Sequence, residues 1–97
     1  MADDTVIEGK VTRDGNPVGA VPVRQLDSKG EFVAQVLTEA SGKFRFFATE
    51  GTWIVRTVDG DELYDRRVET VDGQTAVLNV ELPTEKPAAV ATKRVVK

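Results

Sequence analysis

A chain of 97 residues, 40% of them hydrophobic and 30% charged, has material for one ordinary globular core and not for two. Its net charge of −3 argues against partners read through phosphates, whether nucleic acid or an anionic membrane surface. It has no cysteine and no histidine, so it lacks disulfides, thiolate chemistry, imidazole metal ligands and the usual base of a serine triad.

The first four residues, Met1-Ala2-Asp3-Asp4, form an acidic lead without the basic and apolar regions of a signal peptide. No apolar run approaches the ~20 residues that span a bilayer, so the expected location is the cytoplasm. From residue 5 onward, turn signals recur at Asp14-Gly15, Ser28-Lys29-Gly30, Ser41-Gly42, Glu50-Gly51, Asp59-Gly60 and Asp72-Gly73. They separate seven segments rich in Val, Thr and Phe that read as strands: Thr5–Arg13, Val21–Asp27, Glu31–Glu39, Lys43–Ala48, Thr52–Val58, Leu63–Val71 and Thr75–Leu82.

Side chains alternate across a strand, and the apolar parity chooses the inward set. It comprises Ile7, Gly9 and Val11; Val21 and Val23; Ala34 and Val36; Phe44 and Phe46; Trp53 and Val55; and Leu78, Val80 and Leu82. The sixth strand mixes Leu63, Tyr64 and Val68 with Asp65, Arg66 and Arg67, the composition of an edge that deters strand addition. Short strands at this spacing, with no helical period between them, predict an all-β domain over residues 5–82. The expected form is a seven-stranded antiparallel Greek-key β-sandwich. After Leu82 the alternation gives way to two prolines, alanines and a basic end, so residues 83–97 read as a tail. Within it, Lys93, Arg94, Val95, Val96 and Lys97 are candidate contacts for an acidic, partly apolar partner.

The run Ile7-Glu8-Gly9-Lys10-Val11-Thr12-Arg13-Asp14-Gly15-Asn16-Pro17-Val18, followed by Ser41-Gly42-Lys43-Phe44-Arg45-Phe46 and Glu50-Gly51-Thr52-Trp53-Ile54-Val55, resembles carboxypeptidase regulatory-like domains. That resemblance implies a transthyretin-like or Ig-like sandwich and little about function, because such modules are grafted onto many unrelated proteins. A closer likeness is to short uncharacterised actinobacterial proteins, some encoded beside thiosulfate sulfurtransferases. It is carried by Val11-Thr12-Arg13-Asp14-Gly15, Leu26-Asp27-Ser28, Gly30-Glu31-Phe32 and Phe44-Arg45-Phe46-Phe47-Ala48.

No residue stands out as catalytic or cofactor-binding. The acidic turn Asp59-Gly60-Asp61-Glu62 has oxygens that calcium favours, but Asp-Gly is first of all hairpin chemistry, and no metal site is expected there. Sandwich domains of the pilin and adhesin class, which this chain also resembles, join a first-strand Lys to a last-strand Asn by an isopeptide bond. Lys10 and Asn79 hold those positions, although alternation turns both toward water. The stronger surface signal is outward and apolar: Phe47 and Ile54, with Val33 and Leu37 if the third strand lies alongside, and Arg45 and Arg56 nearby.

The expected role is therefore that of a non-catalytic β-sandwich working through a protein partner or self-association. It would serve as an interaction module or as a small decorating subunit of a larger assembly such as a phage particle. The alternative is an accessory of a sulfurtransferase or other small-molecule pathway.

Overall fold

The computed structural model describes residues 4–84. In this span the chain is all-β, with no helix and nine strands: β1 (Val6–Arg13), β2 (Asn16–Pro17), β3 (Pro22–Asp27), β4 (Phe32–Leu37), β5 (Lys43–Phe47), β6 (Gly51–Asp59), β7 (Glu62–Thr70), β8 (Thr75–Val77) and β9 (Val80–Leu82). They form two sheets. One has four antiparallel strands in the order β4-β3-β6-β7. The other is built on β1, with β2 and β5 along one side and β8 and β9 along the opposite side.

The turns follow from their sequences. All six glycines that punctuate the chain have positive φ. At the first, Asp14 (φ 54°) and Gly15 (φ 79°) together make the two-residue turn whose twist matches a right-handed hairpin, and Arg13 pairs with Asn16 across it. β7 lies at an edge of the four-stranded sheet, where its charged residues led us to expect it.

The last strand departs from expectation in two ways. It runs parallel to β1, not antiparallel, and it is broken into β8 and β9. The offset is the same on both sides of the break, Val6 with Thr75 and Val11 with Val80, so no residue has been inserted. What interrupts the ladder is a close crossing: a Cβ on Gly9 would lie 1.7 Å from the Leu78 carbonyl oxygen and 2.8 Å from Cζ of Phe44. The glycine inside the first strand leaves the space that the Leu78 peptide fills. Beside it the Leu78 N–H donates to the Glu8 carbonyl at 2.9 Å.

The core lies between the sheets. Ile7, Val11, Phe44, Phe46, Leu78, Val80 and Leu82 from one side meet Val23, Val55 and Val68 from the other. The Phe44 and Phe46 rings sit tilted at 6.1 Å between centroids, an edge-to-face arrangement. Ala34, Val36 and Trp53, expected inside, are only half-buried. The Trp53 indole N–H reaches the Thr49 carbonyl at 2.8 Å. Two cross-sheet polar links add to the packing: the Gln25 amide donates to the Phe47 carbonyl at 3.1 Å, and Arg13 Nη2 meets Asp59 Oδ1 at 2.8 Å. One buried hydroxyl, that of Thr57, has no partner among the described residues.

Candidate functional site

The outer face of the four-stranded sheet is ordered in rows by the pairing register. Across its middle run Gln35, Arg24, Arg56 and Asp65, one from each strand. Arg24 Nε donates to Gln35 Oε1 at 2.9 Å, and Arg56 grips Asp65 with two parallel bonds of 2.8 and 2.9 Å. That fork of donors holds the Asp65 carboxyl below its ordinary range and raises Arg56 above its own. The central stripe thus satisfies itself.

Apolar borders flank it. On one side Phe32, Leu26 and Ile54 are neighbours, with the bulge residue Val33 beside them; on the other, Leu37 pairs with Pro22, and Leu63 with Val58. Phe32, Val33, Leu37 and Leu63 are exposed, whereas Leu26 is buried beneath its neighbours.

Of the residues the sequence nominated, Val33, Leu37, Ile54 and Arg56 do share this face. Arg45 and Phe47 do not: β5 belongs to the other sheet, so the expected single patch is divided between two faces. There the Arg45 guanidinium lies 5.1 Å from the Phe47 ring centroid in a cation–π contact. Phe32 was missed as an outward residue because strict alternation from Ala34 sends it inward. The register shift opposite Gln25 and Leu26 reverses its side. Leu63 and Val77 are further exposed apolar residues that the outward set omitted.

On the outer face of the β1 sheet, an open groove of about 280 Å³ crosses the strands at Gly9, between Glu8, Arg45 and Val77 on one side and Lys43 and Asn79 on the other. It lies where β8 gives way to β9. Lys10 and Asn79 are both exposed here, without the burial that isopeptide chemistry requires. In the acidic turn Asp59 is taken up by Arg13. Among the described residues no three acidic side chains gather in a way that could hold a metal ion, and no helix is long and apolar enough to cross a membrane. Lys93, Arg94, Val95, Val96 and Lys97 lie outside the described residues.

Comparison with known proteins places these features in a family. A model for a protein of unknown function, DUF1416, matches residues 1–82. Two uncharacterised proteins of Mycobacterium tuberculosis (strain ATCC 25618 / H37Rv), Rv0814c and Rv3118, are each 50% identical over 59 residues, covering 60% of this chain and 59% of theirs. The chain spans about three-fifths of the length of these curated relatives.

Among solved structures, the dioxygenase domain of a dioxygenase and carbohydrate-binding fusion from Streptomyces sp. SirexAA-E superimposes with a TM-score of 0.65 at 11% identity, over 86% of this chain and 82% of that one. The major pilin subunit BcpA of Bacillus cereus gives 0.56 at 9% identity, over 87% of this chain and 30% of that one. At such identities the likeness speaks for the β-sandwich fold alone.

Proposed function

The chain belongs to the DUF1416 family of proteins of unknown function, and from that premise we propose that it is a non-catalytic β-sandwich module that works through protein contact on the outer face of its four-stranded sheet. One observation carries the reading. Exposed Phe32, Val33, Leu37 and Leu63 border a polar stripe whose side chains already bond to one another. A partner covering this face would remove apolar surface from water and would strip few unpaired polar groups of their hydration, which is the arrangement of a protein interface.

The scattered acidic groups support the non-catalytic half of the reading. Asp59 is held by Arg13, Asp65 by Arg56 and Glu81 by Thr12, whereas paired catalytic carboxylates need a common cleft with one member desolvated. The resemblance to carboxypeptidase regulatory-like domains, carried by Gly9, Asp14-Gly15 and Gly42-Lys43-Phe44, fits the same role of a grafted binding or structural module.

Position-specific photocrosslinking tests the proposal. A benzophenone side chain at Leu63, introduced into the full chain and irradiated in cells, should give a discrete protein adduct that Arg56→Glu abolishes. The same probe at Lys43, on the opposite sheet, should give none. Equal labelling from the two positions, or none from Leu63, overturns it.

A further inference from the structure

We infer that β4 is the edge at which a second copy of this chain adds, antiparallel and about a two-fold axis, so that two four-stranded sheets continue as one. The inference goes beyond the face contact proposed above: strand addition extends the sheet at its β4 edge and leaves the outer face open to a partner.

The two edges of the four-stranded sheet differ sharply. β7, Glu62-Leu63-Tyr64-Asp65-Arg66-Arg67-Val68-Glu69-Thr70, is defended by charge along its length. β4, Phe32-Val33-Ala34-Gln35-Val36-Leu37, carries no charge and no proline, and although five of its six residues are apolar, none is buried. A strand with that composition, left uncovered by the described residues, is a template for another strand.

Its backbone faces the right way. The Thr38 N–H donates to the Val21 carbonyl at 3.0 Å, so antiparallel alternation aims Val36 and Ala34 at β3 and leaves Gln35 and Leu37 with N–H and C=O directed outward. On the other sheet, β8 is three residues long and interrupted, and β5 presents Lys43 and Arg45.

A two-fold pair must be complementary to itself, and β4 is. With no charge on the strand, no like charges meet across it. Lys29 and Glu31 stand before it and Glu39 after it, so neither end carries a run of one charge.

The side chains beside the edge suit strand addition. Phe32, Val33 and Leu37 are exposed, and an added strand covers their flanks while the outward N–H and C=O groups of Gln35 and Leu37 supply the ladder bonds.

Sedimentation equilibrium of the full chain, from about 1 µM to about 1 mM, decides it. A reversible monomer–dimer equilibrium is expected. Gln35→Pro, which removes an outward N–H together with the side-chain bond to Arg24, and Leu37→Lys, which charges the edge, should each weaken it at least tenfold with the fold retained by circular dichroism. Glu69→Lys on β7 should leave it unchanged.

A monomer at every concentration overturns the inference, as does a dimer indifferent to both β4 substitutions. A dimer dissolved by Leu63→Lys but not by Leu37→Lys also sinks the edge, while leaving the protein-contact reading standing. A monomer that forms the Leu63 adduct with a different protein sinks the second copy only.

Discussion

The two sheets are assembled by different rules. In the four-stranded sheet, β3 with β4 and β6 with β7 are hairpins between neighbours in sequence, and only the β3–β6 pairing reaches further. In the β1 sheet the first strand is closed by the last two described, with partners such as Val6 and Thr75 far apart in the sequence. The hairpins rest on turn chemistry, whereas the seam between β1 and the last strand rests on one close crossing, that of Leu78 over Gly9.

Two glycine substitutions should separate these rules, and the first carries the largest effect expected in the molecule. Gly9→Ala places a carbon where the Leu78 carbonyl lies, a main-chain group that cannot swing aside, with the buried Phe44 ring also in close contact, so a loss of roughly 3 kcal/mol or more is expected. In a domain of this size that is a fall in Tm of at least about 12 °C. Gly60→Ala in the β6–β7 turn meets nothing within 4 Å and opposes only its φ of +60°, so it should cost about 1 kcal/mol. Equal shifts for the two variants in thermal melts would erase the distinction.

A second comparison bears on which side dominates stability. Leu82, fully buried in β9, should lose about 3–4 kcal/mol on change to Ala. Trp53 is larger but half-buried, so Trp53→Ala should cost less, about 2 kcal/mol, part of it from the bond to the Thr49 carbonyl. Urea midpoints in the reverse order would place the weight on the four-stranded sheet.

The same division explains what was legible in the sequence. The strand segments and the β7 edge could be read because Gly-bearing turns and two-residue alternation are local signals. Ile7, Val11, Phe44, Phe46 and Leu82 could be placed inside for the same reason. Alternation names a face but not a partner. It therefore gave no sign that the last strand runs parallel to β1, or that β5 leaves the sheet of β4 and β6 and takes Arg45 and Phe47 with it. Phe32 was lost to a bulge, which a period of two cannot register. Gly9 was visible as a glycine within a strand, but its reason, a peptide from the other end of the chain, was not.

Where the sheets meet, Thr57 offers a smaller test. Its hydroxyl is buried without a partner, so Thr57→Val, which keeps the shape and removes the unpaired group, should raise stability by about 1 kcal/mol. A loss in urea titration would mean that the hydroxyl is bonded after all.

The smallest effect lies in the Arg56–Asp65 pair at the centre of the outer stripe. Arg56 lowers the Asp65 pKa, so the folded state favours the carboxylate more than the unfolded chain does. The contribution is then present above the usual carboxylate range, about pH 4, and is lost as pH falls through the lower value that Asp65 has when folded. Both side chains are substantially exposed, at 31% and 44%, so solvent screening keeps the contribution of the pair small. Asp65→Asn should remove that part of the acid-side slope of Tm against pH, and about 1 M salt should shrink the wild-type slope toward it. An unchanged slope in the variant would show that the stripe arranges the face without stabilising the sheet. Its role would then lie in presenting the apolar borders to a partner, with the seam at Gly9 left as the feature on which folding depends.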